Sequence, residues 1–390
     1  MNILRLVYDW PEPWEGLAPG PYELSKAQQK LGHDVLVFCG GGFKNLGKDT
    51  KYTSQALPGQ KGGSLEVFRF PRALRKLSLF LTTAPSILLG YWWLKITRQS
   101  PDLVHGHGHI TACFNIYKLL FGWLDKTPYV LHLHVTAAGR KSRLEDGADS
   151  PSLGFWTRFW EWPLHKFSDW LGVRVADKVI CVSSRVREEV LDYYCADPRK
   201  VVVVENGVNT ELFTSQTRNQ AQEAEYKILY VGALRQRKNV HLLIEALEKL
   251  SEHYNLVIVG SGDKEYEQRL RDLADGLAVK ERVAFKGYIK YPEIPEIYKQ
   301  ADIFVLPSSY EGLPKVVLEA LACGVPVLAS GFVLEDCVEG LEFLEGLQPE
   351  AIAKKIMAAR QSGFTVDVGK VRNKYSWIAK AKEIDEVYHF

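Results

Sequence analysis

Short apolar runs separated by longer segments of helical character recur along this chain, and residues 302–330 show the pattern most clearly. Residues 303–306 are apolar throughout, as expected for a strand buried on both faces. Pro314 suits the first turn of a helix, and Gly324 suits the left-handed residue that ends one. A second apolar run covers residues 325–329. The pattern predicts a strand–helix–strand unit and therefore a parallel sheet.

The rest of the chain predicts the same alternation. Helices are expected over residues 22–31 and 77–96 and from Val240 onward. Residues 77–96 are about long enough to cross a bilayer, but Ser, Thr, Pro and Gly dilute them, so we interpret them as a core helix whose basic end touches a membrane at most. Residues 214–225 are polar without apolar rhythm and are expected to be a linker. Strands with the turns that follow them are expected at 3–8, 35–38, 65–70, 102–105, 179–184, 201–209, 227–239, 256–262 and 283–288.

Composition narrows the class of protein. The chain has 390 residues, of which 46% are hydrophobic and 25% charged, as in a soluble protein of two domains. A net charge of +2 indicates no nucleic-acid partner, although residues 1–174 hold 21 Lys and Arg against 14 Asp and Glu, which suits an anionic acceptor or membrane surface. Six cysteines without a C-x-x-C pair, and a first segment that predicts a strand and not a signal peptide, favour the cytoplasm.

Two carboxylates near one predicted helix suggest a ligand. The helix after Pro314 is apolar nearly all round, so Glu319 is a buried acid that requires donors. Glu311 lies in the loop that leads to the same helix N-terminus, where free N–H groups attract anions. Acids beside an anion site suit a ligand with hydroxyls and phosphates, such as a nucleotide sugar. The alternative is a solvated Glu311 and a Glu319 that pairs with a Lys or Arg of the domain.

The segment from Glu311 to Glu319, followed by Ala-Leu-Ala-Cys-Gly-Val-Pro-Val, resembles the E-x7-E signature of retaining GT-B glycosyltransferases of family four. The resemblance implies an α/β fold with two Rossmann-like parallel-sheet domains that face each other across a cleft. It places an acceptor-side domain at residues 1–207 and a nucleotide-sugar domain at 208–372. A terminal helix at about 373–390 is implied to cross back to the first domain.

The resemblance also implies roles for residues in the second half. Lys238 matches the family lysine on the donor diphosphate, and Arg237 or Arg235 compensates for Ala233, which stands where the family has an arginine. Glu311 is implied to accept hydrogen bonds from the donor sugar and Glu319 to hold the ribose. The remaining donor contacts that the resemblance implies are Gly312, Leu313, Pro314 and Tyr288.

Two further sites fall in the first half. Gly20-Pro21 stands where the family has a Gly-Gly turn on the acceptor side, and the proline removes one donor N–H from it. His134 matches a family histidine that approaches the donor sugar, and His107 is implied to line the cleft. The residues alone leave a different reading open, a metal site built from His105, His107, His132 and His134, whose i, i+2 spacing suits ligands.

The aromatic segment 155–170 contains four Trp with Arg and Lys, preceded by the basic residues 140–143. It either touches a membrane interface or packs against the first domain. The sequence thus predicts a retaining glycosyltransferase with Glu311, Lys238 and His134 as catalytic residues and no metal or other cofactor. Expected partners are a nucleotide sugar, a carbohydrate or lipid-linked acceptor and the anionic inner face of the membrane. The alternatives are a metal-dependent hydrolase and a non-catalytic binding module.

Overall fold

A computed structural model describes residues 1–8, 10, 19–41, 47–48, 62–71, 82–97, 99–139, 162–215, 225–334 and 336–389. The chain forms two compact units. One consists of Met1–Glu145, Ser150–Asn206 and Trp377–Phe390, and the other mainly of Gly207–Ser376. Strands and helices alternate along both units, as the apolar pattern predicts.

The first unit is built on a sheet of eight strands. Its elements up to residue 203 are β1 Asn2–Val7, α1 Pro19–Lys30, β2 Asp34–Gly41, β3 Gly47–Lys48, β4 Leu65–Pro71, α2 Ala84–Ile96, β5 Leu103–His107, α3 Ala112–Phe121, β6 Tyr129–Leu133, α4 Trp162–Val175, β7 Lys178–Cys181, α5 Ser184–Tyr194 and β8 Val201–Val203.

The strand order of this sheet is β3-β4-β2-β1-β5-β6-β7-β8, and every pairing is parallel except that of β3 with β4. Leu4 of β1 pairs with Leu36 on one side and Val104 on the other. Because successive strands are added on either side of β1, the connections diverge between β1 and β5. Ligands of open parallel sheets bind at such a switch point, beyond the carboxyl ends of the strands.

The second unit is built on a smaller sheet. Its elements are β9 Tyr226–Val231, α6 Val240–Glu248, β10 Tyr254–Val259, α7 Lys264–Gly276, β11 Val283–Gly287, α8 Ile294–Tyr298, β12 Ile303–Leu306, α9 Lys315–Ala322, β13 Val327–Ala329, β14 Leu341–Phe343, α10 Pro349–Ser362 and α11 Val368–Tyr375. The six strands are parallel in the order β11-β10-β9-β12-β13-β14. The switch point lies between β9 and β12.

Helix boundaries follow local chemistry. Asp263 caps the N-terminus of α7 by accepting a hydrogen bond from Glu265 N at 2.9 Å, and Ser183 caps α5 by accepting from Val186 N at 3.3 Å. Gly324, at φ +79°, lies just after α9 and adopts the left-handed conformation that its sequence position predicts. Pro314 is the N-cap of α9, one position earlier than a first-turn residue.

The last helix, α12 Trp377–Val387, belongs to the first unit, which confirms that the C-terminal helix returns to the first domain. Trp377, Ala381 and Ile384 share an apolar cluster with Leu24 of α1 and Ile3 of β1. The helix is therefore part of the core of that unit and covers one face of its sheet.

The structure changes two of the helix predictions, and two other predicted segments lie outside the described residues. Helix α1 begins at Pro19 instead of residue 22. Helix α2 is not a core helix on all sides, because Leu89, Trp92, Trp93 and Ile96 are exposed. The expected linker lies outside the described residues from 216 to 224, as does most of the aromatic segment, up to residue 161. In the part of the chain that the structure describes, no helix combines the length and the apolar character needed to span a bilayer.

Candidate active site

The loops that follow β9 and β12 meet at the switch point of the second sheet. The backbone N–H of Ser309 donates to Arg237 O at 2.9 Å. Asn239 adopts a left-handed conformation, with φ 52°, and its Nδ2 donates to Pro307 O at 2.9 Å and Ser309 Oγ at 2.8 Å. A left-handed non-glycine residue is uncommon, and here the side-chain bonds stabilise it. The two loops therefore form one hydrogen-bonded unit.

Two cations from the first loop converge on one carboxylate of the second. The Lys238 ammonium donates to Glu311 Oε1, and Arg237 Nη1 lies 3.3 Å from the same oxygen. Arg237 Nη1 also donates to Tyr310 O at 2.8 Å. Burial lowers the pKa of Lys238, and Arg237 adds to that shift while Glu311 opposes it. Since two cations share one carboxylate, the cluster keeps an excess of positive charge that suits an anion.

Glu319 is held separately on α9. Its side chain is buried, and the single hydroxyl proton of Tyr298 is shared between Val316 O at 3.1 Å and Glu319 Oε2 at 3.4 Å. Burial raises the pKa of Tyr298 well above 10.0, and the charge of Glu319 raises it further. The phenol therefore stays protonated and remains a donor. The structure thus places Tyr298 beside Glu319.

The other residues predicted to contact the donor substrate lie on two separate segments of the second unit. Gly312, Leu313 and Pro314 form the link from Glu311 to the first turn of α9, and Leu313 is buried. Tyr288 directly follows the edge strand β11, and its side chain is 64% exposed. Ser308, which the sequence did not single out, is fully buried in the loop after β12, with no hydrogen-bond partner for its Oγ in the described structure.

The first unit brings four histidines together. Alternate residues of a strand share a face, so His105 and His107 of β5 lie beside His132 of β6 and His134 just after it. The ring centroids of His132 and His134 are 4.7 Å apart, and those of His107 and His132 are 4.9 Å apart. Burial holds the pKa of His105, His107 and His132 well below 6.5, with repulsion from neighbouring charged groups adding to it. These three imidazoles are neutral.

Arg5, in the middle of β1, fixes the proton positions of this cluster. Its Nη1 lies 3.0 Å from His107 Nε2 and 3.4 Å from His105 Nδ1. Because a guanidinium only donates, both nitrogens must be acceptors. His107 therefore carries its proton on Nδ1 and donates it to His134 Nε2 at 3.3 Å. His105 Nδ1 also lies 2.5 Å from the Tyr388 hydroxyl, which donates to it, so His105 carries its proton on Nε2 and donates it to His132 Nδ1 at 3.2 Å.

Other groups complete the surroundings of Arg5. Its Nη2 donates to Gln28 Oε1, and Gln28 Nε2 donates to Asp385 Oδ1 at 2.9 Å and to the Tyr388 hydroxyl at 3.1 Å. Asp385 and Tyr388 come from the C-terminal segment. The helix α12 therefore brings a carboxylate to the network, linked to the guanidinium through the side chain of Gln28.

The geometry of His105, His107 and His132 also bears on the metal alternative. One nitrogen of each lies within 4.8 Å of the others, close enough for a shared ion. The accepting nitrogen of His107 already faces Arg5, that of His105 faces Arg5 and the Tyr388 hydroxyl, and a metal ion would lie beside the guanidinium charge. The arrangement favours the guanidinium over a metal ion.

Gly20 lies close to His134. A Cβ atom built on Gly20 would lie 3.9 Å from His134 Cε1 and 3.8 Å from Trp377 Cη2. The turn expected here is instead the first turn of α1, because the helix begins at Pro19. The N–H groups of a first turn have no partner within the helix, so Pro21 costs α1 no hydrogen bond.

Sequence reasoning missed several residues that hold these sites together. Arg5 had a signal, because it is the one charged residue in an otherwise apolar predicted strand. Asn239 and Tyr298 had none, since their roles depend on contacts with loops and helices that are distant along the chain. The same holds for Gln28, Asp385 and Tyr388.

Comparisons with known proteins agree with this architecture. Residues 15–212 match the family described as Glycosyltransferase Family 4, and residues 213–365 match Glycosyl transferases group 1. An uncharacterised glycosyltransferase of Methanocaldococcus jannaschii is 31% identical over 311 residues, which cover 74% of this chain and 75% of that protein.

Solved structures show the same fold. Sucrose-phosphate synthase from Thermosynechococcus elongatus aligns with a TM-score of 0.75 at 19% identity, covering 100% of this chain and 98% of that one. Anabaena HepE in complex with UDP-glucose aligns with a TM-score of 0.68 at 20% identity, covering 100% and 99%. The predicted two-domain parallel-sheet architecture is confirmed. The chain therefore belongs to Glycosyltransferase Family 4 in its first half and to Glycosyl transferases group 1 in its second, and is a glycosyltransferase with the GT-B fold.

Proposed function

We propose that this enzyme transfers a sugar from a nucleotide-diphosphate sugar to an acceptor hydroxyl with retention of the anomeric configuration and without a metal ion. The observation that carries the proposal is the convergence of Lys238 and Arg237 on Glu311 at the switch point of the second sheet. This cluster has an excess positive charge where parallel sheets bind ligands. Anabaena HepE, which has the same fold, binds UDP-glucose, which supports the donor class.

In this reaction the bond between the anomeric carbon and the diphosphate oxygen breaks, and a bond between that carbon and the acceptor oxygen forms. Negative charge develops on the leaving diphosphate, and the acceptor proton passes to it or to solvent. Lys238 and Arg237 would stabilise that charge, as preorganised donors in a site with little water. Glu311 would exchange its cation partners for hydroxyls of the donor sugar when the diphosphate takes its place.

Glu319 is the proposed ribose acceptor. A buried carboxylate can accept both hydroxyl protons of a diol, and Tyr298 holds one of its oxygens in place. The buried Ser308 hydroxyl lies in the loop before Glu311 and offers one further polar group on the same side of the sheet. Tyr288, at the end of β11, is the proposed neighbour of the nucleotide base.

The first unit would supply the acceptor side, with His134 as its contact to the sugar. His107 leaves His134 with its proton on Nδ1, so His134 would present an N–H donor to a substrate oxygen. The basic excess of residues 1–174 suits an anionic acceptor, either a carbohydrate or a lipid-linked glycan.

A thermal-shift screen with UDP, GDP, ADP and their sugars tests the donor class. A ligand at 100 times its Kd should stabilise the fold by about 2.7 kcal/mol, so binding raises Tm visibly. Turnover then tests the site. Glu319→Ala should abolish transfer while Glu350→Ala, which removes a carboxylate with 70% side-chain exposure, should leave it unchanged.

Near-normal turnover in Glu319→Ala would refute the site assignment. Product analysis by NMR tests retention through the anomeric configuration. Full activity in EDTA is expected, whereas loss of activity in EDTA and its return with a divalent metal would favour the metal-dependent alternative.

A further inference from the structure

The exposed large apolar side chains of the described residues are concentrated in one region. Of the nineteen that are exposed, ten lie between residues 89 and 124. They belong to α2, to α3 and to the turn that follows α3. These ten are Leu89, Trp92, Trp93, Ile96, Ile116, Leu119, Leu120, Phe121, Trp123 and Leu124.

The exposed residues follow a helical period on both helices. Leu89, Trp92, Trp93 and Ile96 are spaced i, i+3, i+4, i+7 and so form one stripe on α2. A second apolar stripe of α2, which includes Ile87, Tyr91 and Leu94, is buried in the core. Helix α2 therefore has two apolar sides, and only one of them is covered by the protein.

Helix α3 repeats the arrangement. Ile116, Leu119, Leu120 and Trp123 have the same i, i+3, i+4, i+7 spacing, and Trp123 is 72% exposed. The opposite side of α3, with Phe114 and Asn115, is buried. A helix whose outer side faces water normally carries polar residues there. An apolar stripe in that position instead marks a surface that binds a partner or a membrane.

The two stripes are neighbours. Helices α2 and α3 pack together, with the ring centroids of Tyr91 and Phe114 5.1 Å apart. The ring of Trp92 lies 6.3 Å from that of Tyr117, which in turn lies 5.5 Å from that of Phe121. We call the combined surface the α2–α3 face. Ten partly exposed side chains of this size expose on the order of 1,000 Å², above the roughly 300–600 Å² of the largest patch on a typical monomer.

The charged groups of these helices point away from this face. Lys95 Nζ lies 2.9 Å from Asp125 Oδ1, and Lys118 Nζ donates to Asp125 O at 3.0 Å and Thr127 O at 2.9 Å. The hydroxyls of Tyr91 and Tyr117 also donate to Asp125. Burial alone would raise the pKa of Asp125, but hydrogen bonds from Tyr91, Lys95 and Thr127 to its carboxylate hold the pKa well below 3.8. The polar groups are thus bound on the inner side, which leaves the outer side apolar.

The net charge of this part of the chain distinguishes between two possible partners of the α2–α3 face, a second copy of the chain and a lipid surface. Residues 72–127 contain seven Lys and Arg residues against two Asp residues. A second copy of the chain would bring the same positive excess, which opposes face-to-face association. An anionic lipid surface has the complementary charge, and Trp side chains such as Trp93 and Trp123 are favoured at the boundary between headgroups and acyl chains.

We propose that the α2–α3 face docks on the surface of an anionic bilayer, with its two apolar stripes in the boundary between headgroups and acyl chains. The basic excess of this part of the sequence, which includes the exposed Lys126, attracts the face to the lipid phosphates. The proposal concerns where the enzyme works and is independent of the identity of the donor and of the roles of Lys238 and Glu319.

Vesicle co-sedimentation of the full chain tests the proposal. The protein should bind vesicles of phosphatidylcholine mixed with phosphatidylglycerol and bind phosphatidylcholine alone much less, and salt should weaken the binding. The double variant Trp93→Glu with Leu120→Glu should lose binding at least about tenfold, because charged groups are costly below the headgroups. Met357→Glu, at an exposed position of α10 in the other unit, should bind like wild type.

A second readout locates the contact and does not depend on the charged variant. Brominated lipids quench Trp residues that enter the bilayer, so Trp93→Phe with Trp123→Phe should keep binding and lose much of the quenching. The control variant Trp170→Phe, on α4, should keep both the binding and the quenching. Circular dichroism melts establish that each variant is folded.

Three results would overturn the proposal: no sedimentation of wild type with anionic vesicles, equal sedimentation of the folded glutamate variant, or quenching lost only in Trp170→Phe. A dimer that the glutamate variant dissociates, in a protein that ignores vesicles, would show instead that a second copy covers the face.

Discussion

Each unit of the enzyme buries a cation, Arg5 within β1 of the first sheet and Lys238 in the loop after β9 of the second, and the two have different kinds of partner. Lys238 is buried in the second unit against the carboxylate of Glu311, with Arg237 close by. Arg5 is fully buried in the first unit, where neutral imidazoles and the amide of Gln28 accept its protons. One cation has a charged partner on a loop, and the other has neutral partners on strands and a helix.

The difference indicates different roles. A charged partner on a loop can be exchanged for a ligand anion, because the ammonium stays paired throughout. A cation held by neutral groups inside a sheet has no such exchange, but it dictates which nitrogens of its neighbours carry protons. We infer that Lys238 acts on the substrate and that Arg5 positions His134 through His107.

The largest expected effect is on Lys238. Lys238→Met should reduce turnover by about 10²–10³, as expected for a preorganised donor at a developing charge. It also leaves Glu311 buried beside Arg237 alone. Lys249→Met, which removes an exposed lysine paired with Glu248 at 3.0 Å, is the matched control and should have no effect. Steady-state kinetics measure both, and equal turnover in the two variants would remove Lys238 from the mechanism.

Removal of the other cation should mainly affect the fold. Arg5→Met leaves His107 Nε2 and Gln28 Oε1 without their donor, and unsatisfied buried groups should lower the free energy of unfolding by about 2–4 kcal/mol. Urea denaturation measures this. Arg199→Met, at an exposed pair with Asp197, should leave it nearly unchanged. Increased stability in Arg5→Met would mean that the cost of burying the guanidinium exceeds the gain from its hydrogen bonds.

The buried neutral histidines of the first unit predict a pH dependence of stability. The folded pKa values of His105, His107 and His132 lie well below 6.5, so below that pH the unfolded chain binds protons that the fold excludes. Stability is therefore full above pH 6.5 and falls as the pH drops, by about 1.4 kcal/mol per pH unit for each histidine.

Thermal or urea unfolding between pH 8 and pH 5 (roughly the range over which a normal histidine titrates) measures this loss. His132→Asn should make the pH dependence shallower, whereas His253→Asn, at an exposed position, should leave it unchanged. An unchanged slope in His132→Asn would contradict the assignment of a neutral buried imidazole.

A smaller effect on catalysis is expected when His107, through which Arg5 positions His134, is replaced. His107→Phe keeps a ring of similar size but cannot donate to His134 Nε2, so kcat should fall about tenfold while KM for the donor stays the same. The control is His241→Phe in the second unit, whose histidine lies 3.3 Å from the Tyr266 hydroxyl. A change in KM alone, or in neither parameter, would argue against a relay from Arg5 to His134.

Gly20→Ala should have the smallest effect. The added methyl would meet Trp377 and His134 at ordinary contact distances of 3.8 and 3.9 Å. Alanine is the better helix former, so the free energy of unfolding should rise by about 0.5–1 kcal/mol. Calorimetry measures this. The control is Gly276→Ala at the end of α7, where an added Cβ would meet no atom within 4 Å outside its own helix backbone. A marked loss of stability would show that the first turn of α1 is packed more tightly than these distances indicate.

Much of the fold could be predicted because it depends on local patterns. The apolar run before Ser308 and the left-handed Gly324 defined the strand–helix–strand unit around α9. The start of α6 at Val240 followed from the basic loop before it. The start of α1 was misplaced, because Pro19 and Pro21 both suit a first helical turn and the pattern does not choose between them.

The sequence also could not tell which side of α2 is buried. A helix that is apolar all round has no preferred direction, so it was interpreted as a core helix. Only the position of α3 beside it shows that the stripe with Leu89 and Trp93 remains exposed.

By itself the sequence determined the alternation of strands and helices, the family and the chemical types of the candidate site residues, because these depend on residue spacing along the chain. The tertiary structure alone decided the partners: Glu311 for Lys238, Tyr298 for Glu319 and the histidines for Arg5. Hydrogen bonds and charges act over a few ångströms in space, whereas these partners are separated by 73, 21 and about a hundred residues. Folding therefore determines which ring nitrogen of each histidine carries the proton, and the sequence alone does not predict it.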